Sequence, residues 1–280
     1  MQQFAGKTAF VTGGASGIGF ALGRALAQEG MKVMLADIEV EALAIATQSL
    51  SESGFIVRGV HCDVADSLSV ECAANKTYEA FGNVHVVCNN AGVGGGTSID
   101  NISLSEWRWV IDVNLMGVVH GIHTFLPHLR AHGERGYIVN TASMAGMQSN
   151  IGFSAYSASK YAVVAMSEGL AKQLNPHGKG VSVLLPSFVN TRIGQSQRNR
   201  QQKYGAPVVR DPTSADGKLV AYIDNALRSG RDPTYIATRV LDAMRKDDLY
   251  VFTHPESNHE VEERFAAIKS AMEKTAGLGP

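Results

Sequence analysis

The sequence predicts an α/β protein: a single domain over residues 1–280, built as a doubly wound parallel sheet of seven strands. Seven short apolar runs recur along the chain, most of them continuous rather than alternating, as strands covered on both faces require. The stretches between them carry apolar residues at helical spacing, so strand and helix alternate in a βαβ rhythm. A glycine-rich turn joins the first run to the first helical stretch.

The first run, residues 7–12, leads to Ile18, Ala21, Leu22, Ala25 and Leu26 at helical spacing, with Gly30 as the stop. The second, residues 32–37, is followed by Val40, Leu43, Ala44 and Leu50 in the same pattern. Further strands are expected at residues 55–62, 84–88, 137–141, 181–185 and 249–252, with helices at 107–129 and 154–174. No Pro/Gly/Ser-rich linker or fixed-period repeat divides the chain. Composition shifts only over 193–218, rich in Gln, Arg, Asn and Gly. Long irregular segments in compact domains are commonly lids, so residues 188–230 are expected to cover a ligand. A C-terminal helical extension is expected at 256–280.

Hydrophobic residues make up 45% and charged residues 18% of the 280, ample material for a core. A net charge of -1, with no Lys/Arg cluster interleaved with aromatics, argues against nucleic acid or an anionic membrane as partner. Cys62, Cys72 and Cys88 form no CxxC pair and suit a reducing compartment. No secretory signal pattern opens the chain, and no uninterrupted apolar run reaches the roughly 18 residues of a membrane span. A cytoplasmic location is the expectation. His120 and His123 lack an evident third ligand, and His61-Cys62-Asp63 is too contiguous to chelate, so no metal is expected.

The first turn reads Thr12-Gly13-Gly14-Ala15-Ser16-Gly17-Ile18-Gly19. A dinucleotide pyrophosphate needs close backbone approach and free N–H groups at a helix N-terminus, where a Cβ obstructs several positions. Gly13, Gly17 and Gly19 meet that need, with Ser16 and Ile18 between them. Asp37 follows at the end of the second strand, eighteen positions after Gly19, where a carboxylate accepts hydrogen bonds from an adenosine ribose. A 2′-phosphate there would meet like charge, and the neighbours of Asp37 in sequence, Ala36 and Ile38, offer no compensation. The expected cofactor is therefore NAD rather than NADP. The bland alternative is that Asp37 only caps the following helix.

The spacing Thr-Gly-x-x-x-Gly-x-Gly resembles the short-chain dehydrogenase/reductase family, and further landmarks follow in that family's order over most of the chain. The resemblance implies a Rossmann fold, with Asp63 and Val64 contacting adenine. It also implies that Asn90, Ala91 and Gly92, within Asn89-Asn90-Ala91-Gly92, lie beside the adenosine ribose. After the sixth strand the family shows Pro-Gly followed by a threonine. Here the stretch reads Pro186-Ser187-Phe188-Val189-Asn190-Thr191, with Val189 and Thr191 expected to contact the carboxamide and Ser187 departing from the pattern.

Hydride transfer to or from an alcohol carbon needs a proton-transferring partner. A tyrosine with its ordinary pKa near 10 needs a nearby cation to serve as one. Tyr156-Ser157-Ala158-Ser159-Lys160 places an ammonium four residues on, on the same helical face. The resemblance implies that Lys160 also binds the nicotinamide ribose, that Ser143 hydrogen-bonds the substrate oxygen, and that Asn114 supports a proton relay. The expected activity is NAD-dependent oxidation of a secondary alcohol or reduction of a ketone.

Met144, Met147, Phe153 and Phe188 are expected to line an apolar substrate pocket suited to an aromatic or alicyclic compound. The stretch from Lys203-Tyr204-Gly205 to Leu249-Tyr250-Val251 resembles a bacterial subgroup that includes dehydrogenases of aryl secondary alcohols. The 154–174 helix is apolar around much of its circumference, and the family commonly buries it between subunits, so a homodimer or homotetramer is expected. A cofactor-binding sensor without turnover is the alternative from another class, and an epimerase or dehydratase the third reading.

Overall fold

The computed structural model describes residues 1–94 and 97–276. β1 (Thr8–Thr12) is wholly buried and runs into α1 (Gly17–Gln28), whose Leu22 and Leu26 are fully covered. β2 (Lys32–Asp37), α2 (Val40–Glu52), β3 (Val57–His61), α3 (Ser67–Phe81) and β4 (Val86–Asn89) complete the first half. The Asp66 side chain caps α3 by accepting from the Leu68 N–H at 3.0 Å, as an N-cap aspartate should.

The helix expected at 107–129 has three parts: α4 (Leu104–Ile111), a π-turn (Asp112–Met116) and α5 (Gly117–Ala131). A π-turn inside a helix is rare and commonly marks a functional position; this one carries Asn114. The combined helix Leu104–Ala131 is long and apolar enough to cross a membrane. Its Trp109, Val113, Phe125 and Leu129 are instead buried in the core beside the sheet.

β5 (Tyr137–Thr141), α6 (Ser154–Leu174) and β6 (Gly180–Leu185) follow the predicted runs, and β7 (Tyr250–Phe252) closes the sheet. All pairs are parallel, in the order β3-β2-β1-β4-β5-β6-β7. The order therefore reverses at β1, between β2 and β4, and a doubly wound sheet opens its ligand crevice at such a seam. One apolar cluster packs α1 and α2 on one face, joined by Ile236, Val240 and Met244. A second holds Trp109, Phe125 and Leu170 on the other face. Truncating a fully buried leucine such as Leu26 to alanine costs about 2–5 kcal/mol in cores of this kind.

The segment expected as a lid carries short stretches of regular structure. It contains 3-10 turns at Ile193–Asn199 and Gln202–Tyr204, then α7 (Ala215–Arg228), before α8 (Pro233–Lys246) returns to the sheet. The C-terminal extension forms α9 (Asn258–Ala276), and residues 277–280 of the expected 256–280 span lie outside the described residues.

Candidate active site

At the carboxyl ends of β1, β4 and β5, one residue ties the loops together. Thr12 Oγ1 accepts from the N–H groups of Asn90 (2.9 Å) and Ala91 (3.0 Å), while its carbonyl accepts from Asn90 Nδ2 at 3.0 Å. Asn90 Oδ1 in turn accepts from Thr141 Oγ1 at 3.3 Å. The Asn90 side chain is thus spent on holding the glycine turn to β4 and β5. Thr12 was visible in the motif, but its role is to accept main-chain hydrogen bonds across the seam, which no residue spacing reveals.

Gly13 has φ +65° and its missing Cβ would stand 2.9 Å from Ala91 Cα, so backbone meets backbone across the seam. Gly17 has φ +55° and would meet Thr191 Cγ2 at 3.0 Å, closing the turn against the segment after β6. Ser16, Gly17 and Ile18 border a cavity of about 1030 Å³ that also reaches Asp37, Asp63, Val64, Asn90, Gly92, Val189 and Thr191. This volume is at the upper end of ordinary small-ligand pockets, roughly 300–1,000 Å³, as an extended two-part ligand requires. With a Cβ-free turn at a helix N-terminus on its border, the chain's residues fit a dinucleotide.

Asp37 Oδ2 accepts from the Ala15 N–H (2.9 Å) and Oδ1 from the Glu39 N–H (3.0 Å), so the carboxylate braces the glycine turn and opens the next helix while bordering the cavity. Burial pushes its pKa up, opposed by those two hydrogen bonds. The neighbours of Asp37 in sequence carry no cation, but one arrives nearby from a distant part of the chain. The fold brings Arg198 from the segment after β6 onto Glu39, two residues beyond Asp37, a long-range contact with no local signature. Asp63 accepts from the Ala65 N–H at 2.9 Å and from Gln201 Nε2 at 3.1 Å. The carbonyl of Val64 is held by His120 Nδ1 at 2.9 Å, which accounts for that histidine.

The same cavity is bordered by Ser143, Tyr156 and Lys160. Ser143 opens the 3-10 turn Met144–Gly146, accepting from the Ala145 N–H (3.1 Å) and donating to the Pro186 carbonyl (3.2 Å). Lys160 is buried, and its Nζ donates to the Thr141 carbonyl at 2.9 Å, 5.5 Å from the centre of the Tyr156 ring. Burial pushes the Lys160 ammonium down to about 8. Tyr156, half-buried, is pushed up by burial, and a hydrogen bond with the Ser143 hydroxyl opposes the shift. Desolvation is the larger of these two effects.

Asn114 is fully buried, its Oδ1 accepting from the Val93 N–H (2.8 Å) and its Nδ2 donating to the Val93 carbonyl (3.0 Å) and Ser159 Oγ (3.3 Å). A Cβ on Gly92 would lie 3.4 Å from Asn114 Oδ1 and 3.6 Å from Lys160 Nζ, ordinary contact distances, so Gly92 stands beside both side chains without glycine being required there.

Of the expected substrate-pocket residues, Met144, Phe153 and Phe188 border the cavity and Met147 does not. The 3-10 turn carries Met147 away, its N–H bonding back to the Met144 carbonyl at 2.8 Å, and it packs on the apolar cluster of Val118, Val163 and Leu185. Ser187, the departure from the Pro-Gly pattern, needs no glycine conformation. Among the described residues, Asp247 is the one non-glycine with positive φ.

The chain matches the family model for short chain dehydrogenases over residues 7–202. A short chain dehydrogenase/reductase from Burkholderia phymatum, solved in complex with NAD, is 38% identical, with a TM-score of 0.93 and 97% of each chain covered. The C alpha-dehydrogenase of Sphingobium sp. (strain SYK-6) is 31% identical, over 96% of this chain and 87% of that protein. The 1-deoxy-11-beta-hydroxypentalenate dehydrogenase of Streptomyces avermitilis is 34% identical, over 92% of this chain and 88% of the relative.

Proposed function

The chain belongs to the short chain dehydrogenase family, and from that premise we propose an NAD-preferring oxidoreductase that interconverts a secondary alcohol and a ketone, with Tyr156 as the acid/base. One observation carries the reading: Ser143, Tyr156 and Lys160 all border the cavity that the glycine turn also borders. Bound NAD supplies the carbon that takes or gives hydride. The chain's own residues do the rest.

Ser143 holds the substrate oxygen, and Tyr156 takes the hydroxyl proton in oxidation and returns it in reduction. The Lys160 ammonium binds the ribose hydroxyls and favours the phenolate. Asn114, its side chain engaged with Val93 and Ser159, serves the proton relay through its main-chain carbonyl. NAD preference is supported by Asp37 at the ribose corner and by Glu39, whose carboxylate occupies Arg198.

Met144, Phe153 and Phe188 favour a hydrophobic substrate, aromatic or alicyclic. The segment 188–230 acts as the lid. Exposed small residues on α6, Ala158, Ala165 and Gly169, permit close helix packing in a homodimer or homotetramer. The buried free thiols of Cys62 and Cys88 suit the cytoplasm.

The test is a panel of secondary alcohols and ketones followed by NADH absorbance. Turnover on an apolar member is expected, and Tyr156→Phe should retain dinucleotide binding while losing about 10²-fold or more in rate. Near-normal rates in that variant, or no turnover with any substrate, would refute the reading.

A further inference from the structure

His254 follows β7 and stands behind the cavity wall. It is 7% exposed, does not border the cavity, and touches the segment that does. Its Nδ1 lies 3.1 Å from the Ser187 N–H, with Thr253 Oγ1 at 2.9 Å, and its Nε2 lies 3.1 Å from the Phe188 carbonyl. A backbone N–H can only donate and a carbonyl can only accept. The tautomer is therefore dictated: Nδ1 is bare and Nε2 carries the proton.

The two peptide units so gripped are the ones that matter. The Ser187 N–H belongs to the same rigid plane as the Pro186 carbonyl. That carbonyl accepts from Ser143 Oγ at 3.2 Å and from the Met144 N–H at 2.9 Å. Fixing one edge of the plane thus fixes where the other edge holds the Ser143 hydroxyl. The Phe188 carbonyl belongs to the plane of the Val189 N–H. It also accepts from the Arg231 N–H at 3.1 Å, while the Asn190 N–H donates to the Arg231 carbonyl at 2.9 Å. Val189 bridges Arg231 in parallel, so its own N–H and carbonyl point to the opposite side.

We infer that His254 is a positioning residue, which sets the Pro186–Ser187 and Phe188–Val189 peptide planes and through them aims the Ser143 hydroxyl and the Val189 main chain into the cavity. The inference rests on the reading of Ser143 as the substrate-oxygen contact. It explains how the chain dispenses with glycine at 187: a side-chain acceptor from the end of β7 holds the turn. It also adds a pH dependence. Protonation puts a hydrogen on Nδ1 facing the Ser187 N–H, donor against donor, and the grip on the first plane fails. The charged groups around the ring are Arg231, which disfavours the imidazolium, and Glu256, which favours it; burial keeps the imidazole below the usual histidine range.

The test pairs a measurement that needs no turnover with one that does. Imidazole nitrogen NMR on the cofactor-free protein should show the Nε2-protonated tautomer, and Ser187 amide exchange should accelerate about tenfold in His254→Ala, the worth of one hydrogen bond. His254→Asn, whose amide oxygen can stand in for Nδ1, should restore much of that protection. In turnover, His254→Ala should lose about ten- to a hundredfold in kcat, with NADH affinity changed far less. In ketone reduction, where Tyr156 must carry its proton, the acid-side fall of the wild-type kcat profile should be missing in His254→Asn. The opposite tautomer, an unchanged Ser187 exchange rate, or full kcat in folded His254→Ala overturns the inference. Absence of turnover in the wild type as well defeats the oxidoreductase reading instead, with the exchange and tautomer results still standing.

Discussion

The guanidinium of Arg198 grips the carboxylate of Glu39, fastening the segment after β6 to the turn after β2. Asn199 adds a hydrogen bond of 3.0 Å to that carboxylate, and Gln201 reaches Asp63 at 3.1 Å. Both anchors border the cavity near Asp37 and Asp63, the corner that the reading gives to adenosine, and release of a dinucleotide is expected to part them. A partly exposed ion pair contributes at most about 1 kcal/mol, so Arg198→Ala should speed NADH release about two- to fivefold in stopped-flow fluorescence. The wild-type release rate should rise with salt and the variant's should not. Equal rates at every ionic strength would dispose of the strap.

Lys160 should cost the fold stability. Its ordinary pKa of 10.5 falls to about 8 in the folded chain, so between those values the unfolded state binds more protons and stability rises with pH. Below pH 8 the whole cost of burying the cation is present. Lys160→Met should therefore raise Tm at pH 7 by at least about 2–4 °C, with the gain shrinking as pH climbs from 8 to 10.5, and should lose turnover. A variant less stable at pH 7, or a gain that does not vary with pH, contradicts the assignment.

Removing the Asp37 carboxylate strips an acceptor from both the ribose corner and the Ala15 N–H. Asp37→Ala should weaken NAD binding about ten- to a hundredfold in a fluorescence titration, and NADP binding much less, since repulsion of a 2′-phosphate goes with it. Equal losses for the two dinucleotides would mean that Asp37 acts only as a brace.

The two methionines of the Ser143 loop should separate cleanly. Met144 borders the cavity and Met147 packs behind it. Met144→Ala should shift KM among substrates of different bulk. Met147→Ala should leave substrate preference alone and cost about 1–3 kcal/mol of stability, at the low end for a core truncation because it is only partly buried. Changed preference in Met147→Ala is the result that contradicts this placement.

The fold was legible because its signals are local. Continuous apolar runs mark strands buried on both faces, and the predicted bounds of β2, β5 and α6 match the structure. The glycine turn and the Tyr156–Lys160 pair were legible because their chemistry demands fixed spacing on one element. What escaped is long-range. The Arg198–Glu39 pair spans 159 positions, and Thr12 acts on groups 78 and 79 residues away. Met147 was expected at the pocket from its place in the loop between Ser143 and Tyr156, and that place could not show the 3-10 turn that carries it away. The π-turn at Asn114 leaves no compositional trace, since its residues suit an ordinary helix as well.

The place of β1 between β2 and β4 has a consequence for the chain as it is made. Residues 8–61 can pair into a three-stranded piece early in translation, but the far edge of β1 stays bare until residues 86–89 leave the ribosome. Only then does Thr12 find Asn90 and Ala91, and only then does the crevice have a second wall. A nucleotide can thus favour the compact state of the nascent polypeptide only after this strand has docked, late enough that the newborn sheet must first hold together through its own apolar contacts.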